Sequence, residues 1–314
     1  MIADIKLTPS RVREYLSCPL KFARLYGPAE EYPCNDPSAS SSGQVRAAAT
    51  SKALSATMSL SNTLHAALDT LHRPSPCELL GLNKPLHAQS STNGMREQLS
   101  EQELSSLVSR HWQTDGYQDS LAEEAAYTQA CEILRYYAQS EHTPHGQVLA
   151  TEAYLTATTN LKGYRVELSC RADRIELHEG GVLEVLDYKL TKNGQLPSAR
   201  ALGEDLSSFL YFLLIGHHYK RHPGVRAVRI SQLDLLSLTK VEAEYDHDQV
   251  ARHKEALTEL VHSVMGGSRE LEPHVSAACA WCPVQQCCPA WGEIDLDDIT
   301  NLAELGVEIG GRDG

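Results

Sequence analysis

No apolar run among the 314 residues approaches the roughly 20 needed to cross a bilayer. The opening MIADIKLTPS also lacks the apolar centre of a signal peptide. The expectation is a cytoplasmic protein with no membrane contact. A positive balance is missing as well: the formal net charge of −13 argues against a surface that coats polyanions indiscriminately, though it leaves room for a local basic groove. There is no G-x-x-x-x-G-K-(S/T), so the chain carries no P-loop. Finally, only one C-x₂-C pair occurs, although the chain holds nine cysteines. In a cytosolic chain, cysteines in that number point to metal or cluster ligation before disulfides. The length suits one large domain, or a domain with a sizeable insertion.

The stretch CRADRIELHEGGVLEVLDYKLTK (170–192) organises the rest. Two alternating runs, RADRIEL and VLEVLDYKL, flank His178-Glu179-Gly180-Gly181, whose glycines suit a tight hairpin turn. Centring the turn there sets Leu177 against Leu183, Ile175 against Val185 and Asp173 against Asp187. Strand alternation puts Asp187, Lys189 and Asp173 on one face. The other face carries Arg174, Glu176, Glu184 and Leu186, and reads as a mixed surface. Directly opposed like charges destabilise a sheet. A hard divalent cation between the aspartates resolves the repulsion, with the lysine orienting or deprotonating a water. An ordinary ion pair between Asp173 and Lys189 resolves it too, and the hairpin alone admits both.

In chain order, Thr8-Pro9 is a cap followed by proline at the first helical position. Val12, Tyr15 and Leu16 share a helix face, Pro19 interrupts, and Phe22 and Tyr26 continue the stripe. Cys18, on that helix, reads by itself as a small buried hydrophobe. Residues 28–60 predict a loop or a weak helix near Gln44–Met58, and 73–95, with Pro74, Pro76 and Pro85, a second loop. His65 sits beside the stripe Leu64, Ala67, Leu68, Leu71; a lone helical histidine is more often a surface or satisfied core residue than a ligand. Residues 96–140 predict two helices split near 114–116, the second over Ser120–Gln139 with Cys131 inside it as a buried thiol. Strands follow over 148–160, with Glu152 near the start, and over 161–177. Past the hairpin and a loop at Asn193–Arg200 come a helix over Leu202–Tyr219, a last hairpin over 227–245 and a helix from His247 to about Met265.

Cys279-Ala-Trp-Cys282, followed by Cys287-Cys288-Pro289, needs a further soft ligand from elsewhere. Thiolates repel unless a cation neutralises them, so converging cysteines imply a metal centre. A tetrahedral zinc site is one possibility, though such sites usually bring two local C-x₂-C pairs.

These stretches resemble the PD-(D/E)XK nucleases, in particular their RecB-like branch. RADRIEL…VLEVLDYKLTK is similar to that branch's G-x-x-D-R-I-D…I-V-D-Y-K-T-G-K signature. Ser10, Tyr15, Cys18-Pro19, Lys21-Phe22 and Tyr26 stand in register with its S-x-x-x-x-Y-x-x-C-P-x-K-F-x-x-x-Y, and Asn62–Leu68 fits G-x-x-x-H-x-x-L loosely, without the glycine. Cys18, Cys279, Cys282 and Cys288 match the ligands of the branch's 4Fe–4S cluster, with Cys287 as a spare open to a ligand swap with Cys288. The family's Q-L-x-x-Y is met by Ser207 to Tyr211, with Tyr211 in place and serine where glutamine belongs.

The resemblance implies an α/β (α+β), restriction-endonuclease-like fold: a central mixed sheet flanked by helices. It further implies one domain over 1–314, with a helical insertion at 96–140, a nuclease core at 148–245 and an iron–sulfur segment at 274–291 closing onto 7–27. It implies a metal-dependent deoxyribonuclease, most plainly an exonuclease on single-stranded DNA or DNA ends in repair, recombination or CRISPR adaptation. Mg²⁺ or Mn²⁺ would be held by His65, Asp173, Asp187 and the Tyr188 carbonyl, with Asp173, Asp187 and Lys189 catalytic. Glu152, Arg174 (toward a phosphate) and Tyr211 are secondary. Lacking a P-loop, the chain would rely on a helicase or a CRISPR-adaptation protein for any unwinding or targeting. A reading of another class is a catalytically weak subunit that binds DNA ends in a helicase–nuclease or defence complex.

Overall fold

The hairpin turn forms as its glycines require. Gly180 and Gly181 both take positive φ, 83° and 85°, a region open to residues without a Cβ. His178 N–H donates to Val182 O at 2.9 Å and Gly181 N–H to His178 O at 3.1 Å. The strands on either side are β3 (Tyr164–Leu177) and β4 (Val182–Lys189), paired antiparallel with Leu177 opposite Leu183 and Ile175 opposite Val185, as the turn position predicts.

The computed structural model describes residues 4–28, 30–32, 55–74, 99–191, 194–266 and 271–291. These divide into two compact units, and strands β2 (Gln147–Leu161) and β3 each contribute to both. Most of the loops expected over 28–60 and 73–95, with the weak helix near Gln44–Met58, lie outside the described residues, as does the chain after Trp291.

The first unit holds the described parts of 1–52, 156–170 and 246–314. Strand β1 (Asp4–Leu7) runs parallel to the start of β3, Asp4 beside Arg165. Thr8 caps α1 (Pro9–Ser17), and Cys18 both ends it and caps α2 (Pro19–Tyr26), so the proline break falls where the sequence put it. Phe22, fully buried, packs edge-on against Tyr15, whose hydroxyl meets Ser263 Oγ at 2.9 Å on α8 (His247–Met265). The Lys162-Gly163 turn between β2 and β3 has both residues at positive φ, and Gly163 N–H donates to Asn160 Oδ1.

The second unit holds the described parts of 53–155 and 171–245. Its sheet runs β3-β4-β5-β6, with β5 at Ala227–Asp234 and β6 at Lys240–Glu244. Pairing is antiparallel, parallel, then antiparallel: a mixed sheet. Helices α3 (Ala56–His72), α4 (Glu101–His111) and α5 (Ser120–Gln139) build one core with it. Leu64, Leu68, Val108, Leu134 and Tyr137 pack with Leu186, Tyr188 and Leu233. Cys131 packs against this core half-buried rather than inside it.

Two local expectations change. The single helix over Leu202–Tyr219 is two, α6 (Ala199–Glu204) and α7 (Leu206–Tyr219). Asp205 parts them: its carboxylate accepts the Ser207 and Ser208 N–H groups and both hydroxyls, a cap that competes with helix continuation. Second, the supposed mixed surface is interior. Arg174, Glu176, Glu184 and Leu186 are each 3 % exposed or less.

Glu176 and Glu184 stand directly opposite one another, and cations offset the repulsion. Lys240 Nζ lies 2.6 Å from Glu184, His178 Nε2 2.7 Å from it, and Arg174 3.2 Å from Glu176. Burial works to raise the Glu184 pKa, but its bonds to Lys240, Ser231 and His178 prevail and bring it from 4.5 to about 2. A depressed carboxylate pKa contributes stability that is full above pH 4.5 and fades as pH falls toward 2. Lys240→Met should therefore destabilise the fold by about 3 kcal/mol at neutral pH, since it strands a buried charge. The deficit should shrink on acidification, read by urea denaturation at pH 7 and pH 4.

Candidate active site

Helix α3 forms because Ser55 caps it, accepting Met58 N–H, and because Leu60, Leu64, Ala67 and Leu68 repeat on a buried stripe. His65 sits next to that stripe and comes out beside the carboxylates. Its Nδ1 lies 3.4 Å from Asp173 Oδ1 and 3.8 Å from Glu152 Oε1. The three side chains offer ligand atoms all within 4.8 Å of one another.

Asp173 stands where the regular ladder stops. Pairing runs cleanly from Leu177↔Leu183 to Arg174↔Leu186, and beyond it the Asp173 carboxylate itself accepts the Tyr188 N–H at 2.7 Å. Asp173, next in that register and opposite Asp187, thus has its carboxylate held against the following peptide. Asp187 instead takes Lys189 Nζ at 2.9 Å, both side chains mostly buried at 14 % and 16 % exposed. The tight trio holds Glu152, a secondary candidate in the sequence, in the position expected of Asp187.

Glu152 reaches the site from an unusual backbone. Its φ is +48° in mid-strand, a region that costs a residue with a Cβ about 1–3 kcal/mol and persists where the surroundings impose it. Its second oxygen is ion-paired to Arg171 Nε. No periodicity in the sequence signals that kink, and Arg171 carried no prediction at all.

The field of the site is negative, and His65 answers it. Burial opposes the imidazolium, yet Asp173, Glu152 and Asp187 outweigh that and hold its pKa up to about 10. Burial raises the Asp173 pKa, with His65 pulling the other way and Asp187 and Glu152 adding to the rise. Imidazole and carboxylate oxygens are ligands for a divalent cation, which would replace the imidazolium proton as the neutralising charge. The residues therefore fit such an ion.

Tyr188 backs the site. Its ring stands edge-on to His65 at 6.0 Å, and its hydroxyl meets Tyr137 and the Arg174 guanidinium, each at 3.2 Å. Arg174, expected at an exposed sheet position facing a phosphate, is instead 3 % exposed. Its terminal nitrogens bond Tyr137 Oη, the His142 carbonyl and Glu176. Tyr211 is half-buried on α7 and no member of the trio. The Ser207 hydroxyl is spent on the Asp205 cap, so no side chain at that position takes the place of a glutamine.

In the first unit, Cys18, Cys279, Cys282 and Cys288 line one cavity, together with Lys21, Arg24 and Trp291. All four are free thiols, and Cys287 is not among the lining residues. The Cys18 sulfur accepts Lys21 N–H and the Cys279 sulfur Ser276 N–H, both at 3.4 Å. Burial raises the Cys282 pKa; the Val284 N–H and Lys21 oppose it, while Cys18 and Cys279 add to it. Among the described residues no helix is long and apolar enough to cross a membrane.

No curated protein matches the chain. A solved structure described as the crystal structure of SSO0001 is similar at 17 % identity and a TM-score of 0.31, over 55 % of this chain and 76 % of that one, a likeness too slight to bear on function. The family model of the PD-(D/E)XK nuclease superfamily matches residues 6–289. That span takes in the mixed sheet and the His65–Glu152–Asp173 trio: the chain belongs to the PD-(D/E)XK nuclease superfamily, whose members are nucleases using divalent metals such as Mg²⁺ or Mn²⁺.

Proposed function

We propose that the chain is a RecB-like deoxyribonuclease that shortens single-stranded DNA or DNA ends, in repair, recombination or CRISPR adaptation, and that it carries an iron–sulfur cluster. The observation that carries the catalytic part is the meeting of His65 from α3, Glu152 from β2 and Asp173 from β3 within 4.8 Å of one another, with Asp187 and Lys189 on β4, the strand paired to β3. His65, Asp173, Asp187 and the Tyr188 carbonyl would hold the cation, and Glu152 joins them on the strength of its place in the trio. A bound divalent cation supplies polarisation of the scissile phosphate and a lower pKa for the attacking water. Asp173 is held for this by the Tyr188 N–H. Lys189, anchored on Asp187, keeps an ammonium where it can orient the water and offset charge building on the phosphorus oxygens.

The cluster reading rests on Cys18, Cys279, Cys282 and Cys288 lining one cavity. Zinc sites usually bring two local C-x₂-C pairs, whereas this chain has one, at Cys279 and Cys282. Lys21 and Arg24 on the wall would temper the negative charge of four thiolates.

The deciding experiment is incubation of 5′- and 3′-labelled single strands with Mg²⁺ and with Mn²⁺. Stepwise shortening from one end is expected with metal and none with EDTA. Intact strands in both metals, with DNA still bound, would leave the reading of a catalytically weak end-binding subunit of a helicase–nuclease or defence complex.

A further inference from the structure

We propose that Arg171 is the residue that grips a backbone phosphate of the nucleic acid, an inference that rests on the nuclease reading above. Two arginines flank Asp173 on β3 closely enough to serve. Arg174 is excluded by the fold: it is buried, and its guanidinium is spent on Tyr137, His142 and Glu176. Arg171 differs in every respect that matters. Its side chain is 69 % exposed, and at two residues from Asp173 it shares that strand face. Its Nε is paired to Glu152, which belongs to the trio, so the guanidinium is tethered at the mouth of the site. Nε is the nitrogen closest to Glu152, and with 69 % of the side chain exposed the guanidinium can meet an incoming anion.

The site needs such a group. Glu152, Asp173 and Asp187 repel a phosphodiester, and of the other side-chain cations His65 faces Asp173 and Glu152 while Lys189 is mostly buried against Asp187. A planar guanidinium fits two phosphate oxygens at once, whereas an ammonium meets them as a point charge. The ion pair with Glu152 keeps that fork beside the trio before substrate arrives. Binding would then be phosphate contact without base readout, indifferent to sequence.

The test is binding of a fluorescent single-stranded oligonucleotide in Ca²⁺, followed by anisotropy across a salt series, for the wild type, Arg171→Gln and Arg171→Lys. Arg171→Gln should raise Kd about tenfold at 0.15 M salt. It should also reduce the slope of log K against log salt by ~0.7, the value of one phosphate contact on a single strand. Arg171→Lys should keep the slope and recover part of the affinity. Mn²⁺ affinity of the DNA-free protein should not fall in Arg171→Gln, because Glu152 loses a competitor. Unchanged Kd and slope would overturn the inference whatever the Mn²⁺ affinity, showing that Arg171 merely pairs with Glu152. A wild type that binds the oligonucleotide but cuts nothing sinks the nuclease reading alone; one that binds none sinks both.

Discussion

On the proposed mechanism, Asp173→Asn and Lys189→Ala should each lower the rate of DNA cleavage by about 10³-fold or more, with the protein still folded and any bound iron retained. The expected size follows from how few groups share the work: removing a single preorganised electrostatic contact in an active site typically costs about 10²–10³ in rate, and a metal ligand serves position and charge together. Asparagine is the sharper probe at 173. Its amide oxygen can still accept the Tyr188 N–H, so the strand end keeps its hydrogen bond while losing the charge that attracts both His65 and a cation. Loss of that charge should also let the His65 pKa drop from about 10, because Asp173 is its strongest attractive partner. Lys189→Ala acts differently. It strands Asp187 without its ammonium partner, so Mn²⁺ binding should survive, or tighten, while turnover collapses. Single-turnover cleavage together with Mn²⁺ titration separates the two. Cleavage at wild-type rate in either variant removes these residues from the mechanism.

The parts of this site that could be read from the sequence are those fixed by local chemistry. Two glycines at positive φ set the hairpin, and the turn set the register that brings Asp173 to the end of the β4 ladder. Thr8-Pro9 and Cys18-Pro19 fixed two helix starts in the same way. What stayed hidden depends on which elements cover which face. Alternation places Arg174, Glu176 and Glu184 on one side of the hairpin, but nothing in it says that α3, α4 and α5 pack against Leu186 and Tyr188, or that Lys240 on β6 neutralises Glu184. Charged residues are seldom fully buried unless paired, so the pattern read as surface until its partners were in view. The place of Glu152 inside the tight trio was hidden for a different reason. Its left-handed backbone is imposed from outside, and an ordinary strand glutamate has the same letters around it. Arg171 inherits that blindness, since its role is defined by Glu152.

Replacing Cys282 with alanine should produce the largest change in the molecule as a whole. Wild-type protein purified without oxygen is expected to be brown, with the broad absorption near ~400 nm of cysteine-ligated iron–sulfur centres. Cys282→Ala should be colourless, and so should Cys18→Ala, although the two positions lie 264 residues apart in the chain (282 − 18). Cys287→Ala should stay brown, because its side chain is not on the cavity wall where the other four meet. Stability should follow colour. A link between Cys18 and the 279–288 segment closes a loop long enough that loop-closure entropy alone is worth about 5 kcal/mol, a value drawn from disulfide cross-links. The unfolded chain regains that freedom when the cluster goes. Unfolding of the clusterless variants should therefore begin with α1 and α2, which the cluster would tie to 279–288, and hydrogen exchange should show their amides losing protection first. The trio of the other unit draws on β2, β3 and α3 rather than on these thiols, so Mn²⁺ binding should outlast the loss of colour. Simultaneous loss of both would make the cluster part of the active site's own support. A folded, colourless wild type carrying zinc would instead assign the cysteines to a different metal and leave the phosphodiester chemistry of Asp173 and Lys189 untouched.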